Sequence, residues 1–185
     1  LYQNNFVKPR EEADSIPLDN IITDTWTNVS INKESQGIAP YVQDSIQYYF
    51  INKISNDFQI IYDDDGPGEI ADIIGINDND VIDIHLYHLK FAKHGAVGND
   101  ISNFYEVCGQ AQKSINWKYR QGKDFFDRLL QRKTKTKNGA SCSRIIKGTE
   151  SQLEGLLNAA SWTKEMKFHI YIVQPSLQKD NASTP

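Results

Sequence analysis

A mixed β-sheet flanked by helices is the α/β architecture this sequence predicts, on three observations. Three short apolar segments, FQIIY, EIADIIGI and VIDIHLYHLKFA, follow one another between residues 58 and 92, divided by turn signals. Stretches with helical spacing of apolar residues stand on either side of them, and KFHIYIVQP closes the chain with strand-like alternation. The order helix, strand, strand, strand, helix, helix, strand describes a sheet with helices on its faces.

The elements follow in turn. Residues 1–38 are polar, carry Pro9, Pro17 and the turn-like SQG at 35–37, and are expected to form an arm with one short strand near Trp26. Pro40 suits the first turn of a helix, and YVQDSIQYYFINKI places Val42, Ile46, Tyr49 and Phe50 on one face. FQIIYDDDGPG is a strand ended by a strong turn signal. EIADIIGI and VIDIHLYHLKFA are two more, rich in Ile, Val, Leu and aromatics. KHGAVGND reads as a flexible loop. In ISNFYEVCGQAQKSINWKY, Phe104, Val107, Cys108, Ala111 and Ile115 share a helical side, and GKDFFDRLLQR is a second amphipathic helix. KTKTKNGAS reads as a basic loop, followed by SRIIKG and the weakly helical TESQLEGLLNAAS. The α/β domain is placed at 39–178, with 179–185 a polar tail. A first residue Leu and the ending QKDNASTP suit a fragment of a longer protein.

Composition narrows the classes. The 185 residues are 39% hydrophobic and 24% charged, ordinary for a soluble domain. No apolar run reaches the roughly 20 residues that span a bilayer, and no signal-peptide layout opens the chain. A cytoplasmic setting is expected, with no membrane partner. Cys108 and Cys142 are the only cysteines, most simply two reduced thiols. The sequons Asn28-Val-Ser and Asn181-Ala-Ser carry no weight without a secretion signal.

The net charge of −4 hides a division. Eight acids and no Lys or Arg lie between Asp63 and Asp83; eleven bases lie between Lys113 and Lys147, against Asp124 and Asp127. An acidic centre beside a basic stretch suits a metal site next to a phosphate track. Two solvated faces is the simpler alternative, and the run Asp63-Asp64-Asp65 is expected to be a solvated turn.

The chemistry concentrates on the second and third apolar segments. Residues two apart share a face of a strand, so His88 and Lys90 lie together, while His85 faces away. A hairpin turn centred near Asp80 sets Asp72 opposite His88, and a slip of one residue would undo this. Carboxylate, imidazole and ammonium then converge. Asp72 with His88 and Glu69 would hold a divalent cation, Mg²⁺ or Mn²⁺, and Lys90 would steady the attacking hydroxide or the transition state. Each residue also has a structural explanation: a hydrogen-bonded Asp at a strand start, a structural His, a Lys snorkelling into water. Trp117 and Tyr119, amid Lys118 and Arg120, either stack on a base or form core and rim at a helix end.

This arrangement resembles the PD-(D/E)XK nuclease superfamily: helix, three strands, helix, strand, with Asp on the second strand and a two-apart pair ending in Lys on the third. The resemblance implies an αβββαβ restriction-endonuclease-like core, a metal-binding Asp72 and a catalytic Lys90. His88 stands where that family has Asp or Glu, and Ala71 where it has Pro. On the helix YEVCGQAQKS, Gln110 and Lys113, three apart, would approach a phosphate, with Gln112 pointing elsewhere. GEIAD, YHLK and YEVCGQAQKS together resemble a segment of bacterial defence proteins in which a helicase is joined to a nuclease. The implied function is metal-dependent hydrolysis of DNA within a larger anti-phage or restriction-type protein. Lys113, Lys118, Arg120 and Lys123 would meet backbone phosphates without base specificity. RNA is not distinguished from DNA, a helicase or ATPase region is the expected partner, and a homodimer is left open. Two alternatives stand. One is a nuclease-like fold without chemistry that binds nucleic acid or serves as an adaptor. The other is a phospholipase D-like enzyme with His88 as nucleophile, although HLKFAKHG has Gly95 where that signature needs Asp, and Asp100 comes too late.

Overall fold

The computed structural model describes residues 18–98 and 102–179. The Asn99–Asp100 end of the expected loop, most of the arm and nearly all of the polar tail lie outside them.

Five strands form one mixed sheet. β1 (Ile60–Asp63), β2 (Ile73–Asp78) and β3 (Ile82–Leu89) are successive antiparallel neighbours; β6 (Ile145–Lys147) adds to β1, and β7 (Met166–Val173) runs parallel to β3, giving the order β6-β1-β2-β3-β7. The pairing Ile73↔Tyr87 through Asp78↔Ile82 matches the register expected from the acidic turn. The parallel last strand follows from the long return through three helices, α2 (Ser102–Ser114), α3 (Gly122–Gln131) and α4 (Glu150–Trp162).

Alternation sorts the side chains onto two faces. Ile74, Ile76, Ile82, Ile84 and Leu86 pack under Phe125, Phe126 and Leu129 of α3 and Leu153 and Leu156 of α4. Ile61, Ile73, Tyr87 and Leu89 pack on the other face against Ile46, Ile51 and Ile54 of α1 (Ile46–Ile54). Both faces of the central strands are covered, which is why β1 is buried throughout, its terminal Asp63 included. Gly75 fits because Phe58 lies over it; a Cβ there would meet ring carbons at 2.7 Å. Gly75→Ala should therefore cost about 1–3 kcal/mol through overpacking, read as a lowered urea midpoint at unchanged slope.

Several expectations are corrected. The described part of the arm forms no strand near Trp26; it turns there, with Trp26 and Asn28 at positive φ, and packs on α1 through the Trp26–Tyr49 ring pair and the Lys53–Asp24 ion pair. Pro40 precedes α1 rather than opening it. Ser45 is the cap, accepting from Tyr48 N, and Val42 lies outside the helix and exposed. α2 buries Val107 and Ala111, but Ile115 falls in a 3-10 turn (Ile115–Tyr119) and is exposed. The basic segment expected as a loop is a hairpin, β4 (Thr134–Lys137) and β5 (Ala140–Ser143), turning on Asn138 and Gly139, both at positive φ.

Candidate functional site

The acidic run leaves the end of β1 directly into a loop whose shape two glycines permit. Gly66 and Gly68 have φ of 122° and 79°, which disfavour any side chain. The loop doubles back: Glu69 N donates to Gly66 O at 3.0 Å, and Gly66 N donates to a Glu69 carboxylate oxygen at 2.8 Å. Glu69 is thereby folded over Asp65, and Asp72 follows at the mouth of β2. One oxygen each of Asp65, Glu69 and Asp72 lies within 4.8 Å of the others.

The run Asp63-Asp64-Asp65 is not a solvated turn. Asp63 accepts from Gln36, Gln47 and Lys135. Asp64, fully buried, accepts from Ile70 N at 2.6 Å and Arg132 Nε at 2.7 Å. Asp65 accepts from Ser35 at 2.6 Å and Lys135 at 2.8 Å. The backbone is clamped as well. Arg132 reaches Pro67 O, Arg128 reaches Gly68 O, and Arg144 donates to the carbonyls of Asp63 and Asp65. The acidic centre and the distal half of the basic stretch therefore bind each other. They are neither two solvated faces nor, in that half, a phosphate track.

Crowding shows in the proton affinities. Burial, with Glu69, Glu34 and Asp65 nearby, holds the Asp72 carboxyl well above its usual range, against the pull of the bond from Leu89 N at 2.8 Å. Burial raises Glu69 and Glu34 too, with neighbouring carboxylates adding to it. Asp65 alone of the triplet is shifted down: burial pushes it up, but Lys135 and Ser35 outweigh that. A divalent cation would relieve this repulsion, and an all-oxygen donor set suits Mg²⁺ or Mn²⁺.

The β2–β3 ladder ends at the pair Ile73–Tyr87, so Asp72 falls just before β2 and His88 one residue further along β3, with the Asp72 carboxylate accepting from Leu89 N at 2.8 Å. They do not share the same ligand cluster: His88 stands outside the carboxylate triplet, and Asp65 takes the third place. Its Nε2 lies 2.9 Å from Ser114 Oγ, whose hydroxyl is 2.6 Å from the Ile70 carbonyl. A carbonyl only accepts, so Ser114 donates to it and Nε2 must donate to Ser114. Nδ1 is left as a buried acceptor without a partner. Burial pushes the His88 pKa down to about 4, keeping the ring neutral at pH 7.

Lys90 sits just past β3, its ammonium 2.9 Å from Glu106 and 3.5 Å from Glu34. Burial alone would lower its pKa, and these two carboxylates more than reverse that. Its link to the triplet runs through Glu34, which also raises Asp72. Beside Glu69 opens a cleft of about 400 Å³, lined by the Gly66–Gly68 loop, His88, Ser114, Gln110, Lys113 and Trp117. Gln110 has a buried, partnerless Oε1 in this region, whereas Gln112 points to solvent. Lys113, Lys118, Arg120 and Lys123 are all exposed.

Sequence reasoning missed Asp65 and Glu34. Asp65 had one usable signal, its place immediately before Gly-Pro-Gly, where a sharp reversal can turn a carboxylate back over the sheet. Compared with protein-family models, curated proteins and solved structures, the chain matches none. Among the described residues no helix is long and apolar enough to cross a membrane.

Proposed function

We propose that this chain is a metal-dependent nuclease domain hydrolysing phosphodiester bonds in DNA. The observation that carries the reading is the Asp65–Glu69–Asp72 triplet, whose Glu69 lines an open cleft. A divalent cation bound there would acidify a water and neutralise charge building on the phosphate. Asp65, Glu69 and Asp72 would hold it. Lys90, kept charged by Glu34 and Glu106, would oppose the developing negative charge. Lys113, at the cleft, would take a non-bridging phosphate oxygen. The PD-(D/E)XK-like core is part of the proposal, supported by the three-strand meander, the parallel strand beside β3, and the placement of Asp72 and Lys90 at adjoining strand ends. A role in bacterial defence beside a helicase or ATPase region rests on the sequence resemblance alone.

A second reading has its own observation: Lys90 is held between two carboxylates, as in a site whose chemistry has lapsed and whose surface only binds nucleic acid. The phospholipase D-like alternative has less support, because His88 Nε2 is bonded to Ser114. Incubation of plasmid and oligonucleotides with Mg²⁺ or Mn²⁺ decides among these. The nuclease reading expects cleavage that chelator stops and that falls at least about 100-fold in Asp72→Ala and Lys90→Ala. Binding without cleavage under every cation supports the second reading. Cleavage that survives chelator and is lost in His88→Ala supports the third.

A further inference from the structure

We infer that the strand entering the cleft is single-stranded, and that it leaves across an aromatic, basic surface at the end of α2, the 3-10 turn and the start of α3. This rests on the hydrolase reading and specifies the form of its substrate.

The first observation is how the bases sort themselves. Arg132, Lys133, Lys135, Arg144 and Lys147 all donate to groups of the fold itself. Lys113, Lys118 and Lys123 are exposed, and no ion pair or hydrogen bond among the described residues engages them. Among the described residues, the exposed bases of the stretch other than those donors and Lys137 thus fall between Lys113, which lines the cleft, and Lys123 at the start of α3.

The second observation is aromatic. Trp117 lines the cleft, its edge against Phe125 and its face 4.6 Å from the Arg120 guanidinium. Two residues on, Tyr119 is 78% exposed and makes no ring contact among the described residues. Gly122 packs so closely on α4 that a Cβ would lie 2.9 Å from Ala160 Cβ. Trp162, 86% exposed, ends α4 two residues after Ala160. Large exposed rings interleaved with exposed ammonium groups suit a partner offering both phosphates and open base faces. A duplex keeps its base faces in its own stack and would meet these rings with backbone alone.

Fluorescence anisotropy tests this with the 185-residue chain in chelator, where nothing is cut. The probes are a labelled oligonucleotide of about 20 residues, longer than one such site, and its duplex. The single strand should bind at least about tenfold tighter. Tyr119→Ala and Trp162→Ala should each weaken it about tenfold, with Tyr119→Phe near wild type. Lys118→Ala and Lys123→Ala should each reduce the salt slope by about one. Equal or tighter duplex binding, no binding of either form, an unaffected Tyr119→Ala, or displacement by polyglutamate as effective as by unlabelled strand would overturn the inference. Mg²⁺-dependent cleavage of duplex alongside any of these leaves the hydrolase reading standing without it. Single-strand binding with no cleavage under any cation does the reverse.

Discussion

Asp72→Asn is expected to stabilise the cation-free protein while abolishing its response to Mg²⁺. In the folded chain Asp72 binds its proton more tightly than in the unfolded one, so an ionised Asp72 opposes folding. That penalty is absent below the ordinary value of 3.8, grows as pH climbs through the interval up to the raised folded value, and then stays constant. Asparagine never ionises, and its side-chain oxygen can still accept from Leu89 N. The variant should melt at least about 3 °C above wild type at pH 8, at roughly 2–4 °C per kcal/mol for a chain of this size. The two curves should converge at acid pH. Millimolar Mg²⁺ should raise the wild-type melting temperature and leave the variant unmoved. A variant that melts lower at pH 8, or equal stabilisation of both by Mg²⁺, would remove the triplet from consideration as a cation site.

Arg132→Ala should be among the most damaging single changes, costing about 3–5 kcal/mol. It takes from the buried Asp64 carboxylate its close counterion, leaving Ile70 N and the Arg144 guanidinium at 4.0 Å, and removes the donors to Pro67 O and Asp64 O together. Arg132→Lys keeps the charge but lacks the fork that serves three acceptors at once, and should recover less than half of the loss. Lys133→Ala is the control: its pair with Glu150 is nearly half exposed on both sides and should change stability by less than about 1 kcal/mol. Urea unfolding measures all three. A loss below about 1 kcal/mol for Arg132→Ala would mean that the loop holds its shape without the clamp.

The register of β2 and β3 was legible from the short turn between them rather than from apolarity, since isoleucines fill both buried faces. The three residues Asn79, Asp80 and Val81 between the paired Asp78 and Ile82 then fix which residues stand opposite. Asp65 and Glu34 were not legible. Three consecutive acids read as solvated unless their counterions are known, and those counterions, Arg132, Lys135 and Arg144, arrive some seventy residues later. The hairpin of β4 and β5 lacks apolar alternation, so periodicity missed it, although Asn138-Gly139 is a strong turn signal in its own right. The position of Lys90 just past the end of β3 follows from strand spacing. Its restraint by Glu34 and Glu106 depends on a loop and a helix that no strand pattern can place.

The clamp on the acidic loop has a consequence for synthesis. The bonds from Arg132, Lys135 and Arg144 to Asp63, Asp64 and Asp65 cross 68, 70, 72 and 81 residues of chain. A ribosome that has released everything through the second helix has therefore delivered every carboxylate of the cluster and none of the cations that shape it. The clamp on the early loop is complete only once Arg144, just before β6, has been made.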